Sequence, residues 1–176
     1  MNFSDIIINR QSCRKYDPSR CVEDAKLEKI LKAAHMAPSA CNSQPYLITV
    51  CKGEMAKKVA LETQKMGRNA FTADAQVMLV LSENEYNERA GRAAVEMKND
   101  FRSIDIGILS AYITAAAAEE GISSCILGLF DNENIKRICS LDGDVRLCVC
   151  LGYADKDDAL RQKVRKPQEE LIKIME

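Results

Sequence analysis

Ala37-Pro38-Ser39-Ala40-Cys41-Asn42-Ser43-Gln44-Pro45-Tyr46 is the stretch on which the fold and the site of this chain turn. Small amides and hydroxyls are held between two prolines, so the backbone is restricted while the side chains offer both donors and acceptors. Upstream, Glu23 to Met36 reads as an amphipathic helix: Leu27, Ile30, Leu31 and Ala34 recur at helical spacing, with Lys26, Glu28, Lys29 and Lys32 outside. Pro38 stops it. Downstream, Tyr46 to Cys51 alternates and is β-branched, the pattern of a strand. The polar run is therefore a loop from helix to strand. Ordinary turn chemistry explains its composition, and other segments must be added before it reads as a site.

The first such segment is Arg10-Gln11-Ser12-Cys13-Arg14-Lys15-Tyr16. In extended chain Arg10, Ser12 and Arg14 share one side, because side chains alternate. Guanidinium forks match phosphate, and the polar loop matches the edge of a planar heterocycle. The plain alternative is an exposed basic segment that pairs with local acids. Lys163-Val164-Arg165-Lys166-Pro167 is a second basic cluster, just before a helix start, and reads either as another phosphate grip or as a solvated charge run. Together the three segments point to a phosphorylated aromatic cofactor.

Bulk properties narrow the class. A chain of 176 residues is expected to form one domain, residues 1–176, burying roughly 70% of its unfolded surface. The net charge of −1 gives no footprint for nucleic acid and no polybasic membrane signal. No apolar stretch is read as reaching the roughly 18 residues that span a bilayer, and the N-terminus lacks the features of a signal peptide. The expected location is cytoplasmic. The eight cysteines show no C-x-x-C spacing and stand with a single histidine, so reduced structural thiols are expected, not metal ligands or disulfides.

Along the remaining chain, Ser4 is expected to cap a short helix to Asn9, and a helix is expected from Glu54 to Lys65. Ala75 to Leu81 reads as a strand buried on both faces. Asn84 to Asp100 reads as exposed helix, and Ser103 to Glu120 as a long apolar helix capped by Ser103 and stopped by Gly121. A short strand or loop is expected at Ile122–Leu127, a β-rich apolar run at Val145–Leu151, and a short helix at Asp131–Cys139. Pro167 is expected to open a last helix to Ile174. The result is α+β, with mostly helices and four or five short strands. No G-x-G-x-x-G or P-loop is present. His35 near a helix C-terminus reads as a satisfied ring, and no G-x-S-x-G elbow gives it a nucleophile.

These segments, in this order, resemble the FMN-dependent nitroreductase family, its short-chain members in particular. Arg10-x-Ser12-x-Arg14 is similar to the family's R-x-S-x-[RK] motif, and Ala37 to Tyr46 to its A-P-S-x-x-N-x-Q-P-[WFY] segment. Asp105-Ile106-Gly107 resembles the central D-x-G helix, and Gly121 to Phe130 the G-[IL]-G-[ST]-C region. Leu151-Gly152-Tyr153 and Lys163-x-Arg165-Lys166-Pro167 resemble the ending. The departures include Gln11 for a frequent arginine, Ala40 for a frequent serine, Cys41 for serine or histidine, and Tyr46 for tryptophan.

The resemblance implies a central, mostly antiparallel sheet wrapped by helices, and an obligate homodimer with two shared FMN sites. Arg10, Gln11, Ser12, Lys163 and Arg165 would bind the cofactor around its phosphate, with Arg14 at the pyrimidine edge. Pro38, Ser39, Ala40, Asn42 and Gln44 would come from the partner. Leu127 and Gly128 would approach the ring near N5, with Asn69 as a further ring contact. The implied activity is ping-pong transfer of hydride from NADH or NADPH, through FMN, to a small-molecule acceptor such as a nitro compound, a quinone or a flavin. No side chain is implied as acid or base, and no metal. A flavin-remodelling or dehalogenating relative, or a non-catalytic FMN-binding protein, are the alternatives.

Overall fold

The structure is a computed structural model and describes residues 2–176, the side chain of Met66 apart. Four strands form one antiparallel sheet: β1 (Tyr46–Lys52), β2 (Val77–Glu83), β3 (Ser123–Leu127) and β4 (Val145–Gly152), in the order β1-β2-β4-β3. Around it lie α1 (Phe3–Asn9), α2 (Asp24–His35), α3 (Gly53–Thr63), α4 (Glu88–Met97), α5 (Phe101–Glu119), α6 (Asn132–Cys139) and α7 (Gln168–Leu171). The α+β class and the antiparallel sheet agree with the sequence.

The sheet is covered on both faces, and the central strand β2 shows why. Its odd positions Val77, Leu79 and Leu81 pack with Leu27 and Ile30 of α2 and with Ile106, Leu109 and Ile113 of α5. Its even positions Met78 and Val80 pack with Ala56 and Val59 of α3 and Ile135 of α6. Period-two alternation thus feeds two cores, and a nearly continuous apolar run is what such a strand needs. Each fully buried Ile or Leu here contributes about 1.5–3 kcal/mol relative to exposure. Cys13, Cys51, Cys125, Cys148 and Cys150 all belong to the α3/α6 face, where they fill space as small hydrophobes.

Several boundaries differ from expectation, each for a local reason. Asn2, not Ser4, caps α1: its side chain accepts from Asp5 N–H, and the Asp5 carboxylate accepts from Asn2 N–H. Asp100, not Ser103, caps α5 by accepting from Ser103 N–H at 3.2 Å. Asp131 caps α6 by accepting from Asn134 N–H, and Gly121 follows α5 with φ +70°, both as expected. Pro167 precedes the last helix, which ends at Leu171 and not Ile174. Its residues are exposed, and so short a helix without a buried face gains little from continuing.

α5 is 19 residues long and, by length and composition, apolar enough to cross a bilayer, unlike the sequence expectation. Here it is a core helix: Ile106, Leu109, Ile113 and Ala117 are buried against α2 and the sheet. Its opposite side leaves Ile104, Gly107, Ala111 and Tyr112 exposed, an apolar stripe at helical spacing.

Two short bridges tie the Arg10–Tyr16 segment to the sheet. Ser12 pairs with Ser124 of β3, and Tyr16 with Ala154 just after β4. Tyr16 is buried, and its hydroxyl donates to the Cys150 carbonyl at 3.3 Å. A Cβ at Gly152 would lie 2.8 Å from Tyr16 Cδ1, so glycine is what lets this ring lie against β4.

Candidate cofactor site

The bridge at Ser12 sets the first wall of the site. Cys13 N–H donates to the Ser124 carbonyl at 2.9 Å, holding the segment extended, and Cys13 is itself fully buried. Arg10 and Arg14 extend from this anchored strand. The second wall is the chain after β4. Arg161 N–H donates to Gln11 Oε1 at 3.0 Å, Gln11 Nε2 donates to the Ala159 carbonyl at 3.2 Å, and Lys163 Nζ donates to the Arg10 carbonyl at 2.6 Å. An Arg161 guanidinium nitrogen also donates to the Ser12 carbonyl. The two basic segments, about 150 residues apart, are thereby laced together.

Between them lies a cavity of about 270 Å³ lined by Arg10, Gln11, Ser12, Arg14, Arg161, Lys163 and Arg165, with Gln162 and Val164. Arg161 pairs with Asp158 at 2.7 Å. Among the described residues no carboxylate lies within 4.0 Å of Arg10, Arg14, Lys163 or Arg165. Lys163 is held below the usual lysine value, first by partial burial and then by the charges of Arg10, Arg165 and Arg161. A concentration of cations without protein counter-charge is chemically fitted to a polyanionic group such as a phosphate.

Arg14 also lines a second cavity, of about 180 Å³, with Asn69, Phe71, Cys125, Ile126, Leu127, Gly128 and Leu129. The basic cavity and this mixed polar and apolar one therefore adjoin at Arg14. Asn69 sits in the left-handed region, φ +54°, a conformation asparagine tolerates better than most residues. Its Nδ2 donates to the Thr63 carbonyl at 3.0 Å and the Leu129 carbonyl at 3.4 Å, which ties the end of α3 to the segment after β3. Cys125 is drawn down to about 7, chiefly by the neighbouring Cys150 thiol, with Ser12, Arg14 and Arg10 adding to the effect against burial.

The Pro38–Pro45 turn is placed elsewhere. Among the described residues none of it lines either cavity; Gln44 borders a separate recess with His35 and Tyr46. The turn is built tightly. Cys41, Asn42 and Gln44 have φ of +49°, +51° and +47°. Ser39 Oγ accepts from Gln44 N–H at 2.9 Å, and Gln44 Nε2 donates to Asn42 Oδ1 at 2.9 Å. Asp105 of α5, 2% exposed, accepts from Ala40 N–H at 3.1 and 3.2 Å. Three non-glycine residues in the left-handed region are costly, and this network offsets the strain.

Burial pushes the Asp105 carboxyl above the ordinary aspartate range, and the Ala40 N–H pulls it partly back. The folded protein therefore binds this proton more tightly than the unfolded chain does. The stabilisation is complete below the unfolded aspartate value and is lost as pH rises through the raised folded value. Asp105→Asn keeps an acceptor for Ala40 and should flatten that loss in urea titrations from about pH 4 to about pH 7. An unchanged profile would contradict this role for Asp105. Asp105→Ala, which leaves Ala40 N–H without its acceptor, should cost about 1–3 kcal/mol.

The structure thus gathers Arg10, Gln11, Ser12, Arg14, Lys163 and Arg165 around one cavity, and Arg14, Asn69, Leu127 and Gly128 around its neighbour. It leaves Pro38, Ser39, Ala40, Asn42 and Gln44 apart from both. The Gln11 amide is taken up in lacing the two basic segments. Sequence reasoning missed Arg161, whose signal was present: Arg161, Lys163 and Arg165 alternate as Arg10, Ser12 and Arg14 do. It also missed Asp105 as the anchor of the turn, 65 residues away, for which no local pattern exists.

Comparison with known proteins agrees with this architecture. A protein of Archaeoglobus fulgidus named "Putative NADH dehydrogenase/NAD(P)H nitroreductase" is 33% identical over 73% of this chain and 68% of its own length. The structure of an FMN-dependent nitroreductase from Clostridium difficile superposes with a TM-score of 0.76 at 23% identity, covering 96% of each chain. A "putative nitroreductase in complex with FMN" from Exiguobacterium sibiricum gives a TM-score of 0.82 at 20% identity, covering 99% of this chain and 98% of that one. The family model described as "Nitroreductase family" matches residues 7–153, and the chain belongs to that family.

Proposed function

We propose that this chain is an FMN-dependent NAD(P)H oxidoreductase, one FMN-binding domain that acts as a homodimer on small-molecule electron acceptors: nitro compounds, quinones or free flavins. The observation that carries the proposal is the basic cavity, where Arg10, Lys163 and Arg165 face one space with no carboxylate partner among the described residues. The names of the relatives, one an NAD(P)H nitroreductase and one FMN-dependent, support the same cofactor and donor.

On this reading Arg10, Ser12, Lys163 and Arg165 hold the phosphate, and Arg161 and Gln11 position the segments that carry them. Held there, FMN would supply the hydride and electron transfer between NADH or NADPH and the second substrate. Arg14, at the junction of the two cavities, places a fixed positive charge where negative charge develops on the ring. Asn69, Leu127 and Gly128, which line the cavity next to Arg14, would border the ring and limit its contact with water. No side chain is needed as a general acid or base.

What one chain leaves uncovered supports the dimeric reading. The stripe Ile104, Gly107, Ala111 and Tyr112 on α5 is apolar and exposed, as are Leu47 and Val50 on the edge strand β1. The C-terminal segment presents Val164, Ile174 and Met175 at more than 80% exposure, apolar side chains suited to wrap a second subunit. The polar turn, rigid and lining neither the basic cavity nor the Arg14 cavity of its own chain, would complete the partner's site. The free thiols support a reducing, cytoplasmic setting.

Initial rates measured with varied NADPH or NADH at several fixed concentrations of a quinone or nitroaromatic should give parallel double-reciprocal lines, the mark of one site used twice. Lines that converge would contradict alternating use of a single cofactor site.

A further inference from the structure

The buried cysteines here fill space, but one of them, Cys51, also meets a half-buried thiol. Cys51 Sγ, near the end of β1, lies 3.8 Å from Cys139 Sγ, on the last residue of α6. The two residues are 88 apart in sequence, and both thiols are free. Cys51 is buried, whereas Cys139 is half-buried. We propose that Cys51 and Cys139 are a dithiol modification site that hydrogen peroxide converts to a disulfide, pinning α6 to β1.

The hydrogen bond between the thiols divides the work. Cys51 is pushed up, first by its bond to Cys139 and then by burial, so it keeps its proton. Cys139 is drawn down by receiving that bond, so it is the thiol that ionises first. The Cys139 thiolate attacks one peroxide oxygen: the S–O bond forms, the O–O bond breaks, and hydroxide leaves to take up a proton. The Cys51 thiol then attacks the sulfenic sulfur: the S–S bond forms, the S–O bond breaks, and water leaves with the Cys51 proton. Two thiols lose two electrons and the peroxide becomes two waters. The sulfurs must close to about 2.05 Å, which side-chain rotation and a small shift at the end of α6 can supply.

The other thiols differ in one respect or another. Cys125 and Cys150 are register partners across β3 and β4, but both are buried in the core. Cys21 and Cys41 are exposed, but among the described residues neither has a thiol within hydrogen-bond reach. Pinning α6 also stiffens the frame behind the Arg14 cavity, because Asp131 N–H at the start of α6 donates to the Glu62 carbonyl of α3 at 2.9 Å.

The test treats the full chain with stoichiometric hydrogen peroxide, then maps peptides without reduction and records thermal unfolding. The expected result is a Cys51–Cys139 linked peptide, reversed by dithiothreitol, with Tm raised by about 4–12 °C. Cys139→Ser should abolish both effects. In Cys51→Ala, Cys139 should instead be trapped as sulfenic acid by a 1,3-dione probe. Recovery of Cys139 as free thiol, or as sulfinic acid beside an unmodified Cys51, would overturn the proposal.

Discussion

Arg10→Ala is expected to weaken FMN binding by about 10- to 100-fold and to leave riboflavin binding unchanged, because a charge-assisted hydrogen bond contributes about 1.5–3 kcal/mol. The comparison of the two flavins isolates the phosphate. The substitution removes a guanidinium that no carboxylate partners among the described residues, and it keeps the backbone carbonyl to which Lys163 Nζ donates at 2.6 Å. The lacing of the N- and C-terminal segments should therefore survive, and although Arg10 is half-buried, stability should change by less than about 1 kcal/mol, because no ion pair or packed core contact is lost. The effect should shrink as salt rises, since the contact is electrostatic and the cavity is open to solvent. Isothermal titration with both flavins measures it. Equal losses for FMN and riboflavin would show that Arg10 acts on the fold and not on the phosphate.

Arg14→Ala is expected to slow flavin reduction by NAD(P)H by about 100-fold, the size seen when one donor to developing negative charge is removed, while FMN affinity falls far less. Arg14 is the residue shared by both cavities, and it is exposed. Its side chain therefore contributes little to the core. Arg14→Lys should recover part of the rate, because the charge returns without the planar fork. Stopped-flow absorbance of the FMN-loaded protein separates the two steps. A reduction rate unchanged in Arg14→Ala would remove the electrostatic role assigned to this residue.

Much of the architecture was legible because both cores announce themselves in single strands and helices. Ala75 to Leu81 reads as a strand covered on both sides, and β2 feeds one core with its odd positions and the other with its even ones. The helix before Pro38 needed only its periodicity. Helix starts were less legible, because Asn2 competes with Ser4, and Asp100 with Ser103, for the same role. Only the folded backbone shows which side chain reaches the free N–H groups. Pro167 is a fitting helix start, but Gln168 to Leu171 is exposed throughout, so the last helix ends short of Ile174.

The site was legible in its charges and not in its joints. Alternation places Arg10, Ser12 and Arg14 on one side, and the structure shows them facing the cavity shared with Lys163 and Arg165. That the two segments meet at all depends on the bridge of Ser12 to Ser124 and on Gln11 holding the chain at 159–161, contacts between distant residues that no local pattern encodes. The left-handed residues of the polar turn are likewise invisible in sequence, since Cys41 and Gln44 carry no preference for that conformation. Their strain is sustained by Asp105, which sequence alone presents only as a polar residue near the start of an apolar helix.

The most direct measurement is the visible spectrum of the protein loaded with FMN under anaerobic conditions, before and after NADH or NADPH is added. The account predicts bound FMN whose absorbance bleaches on addition of one of the two donors and returns when a quinone is admitted. A chain that takes up no FMN, or that binds it and stays yellow with both donors, would contradict it.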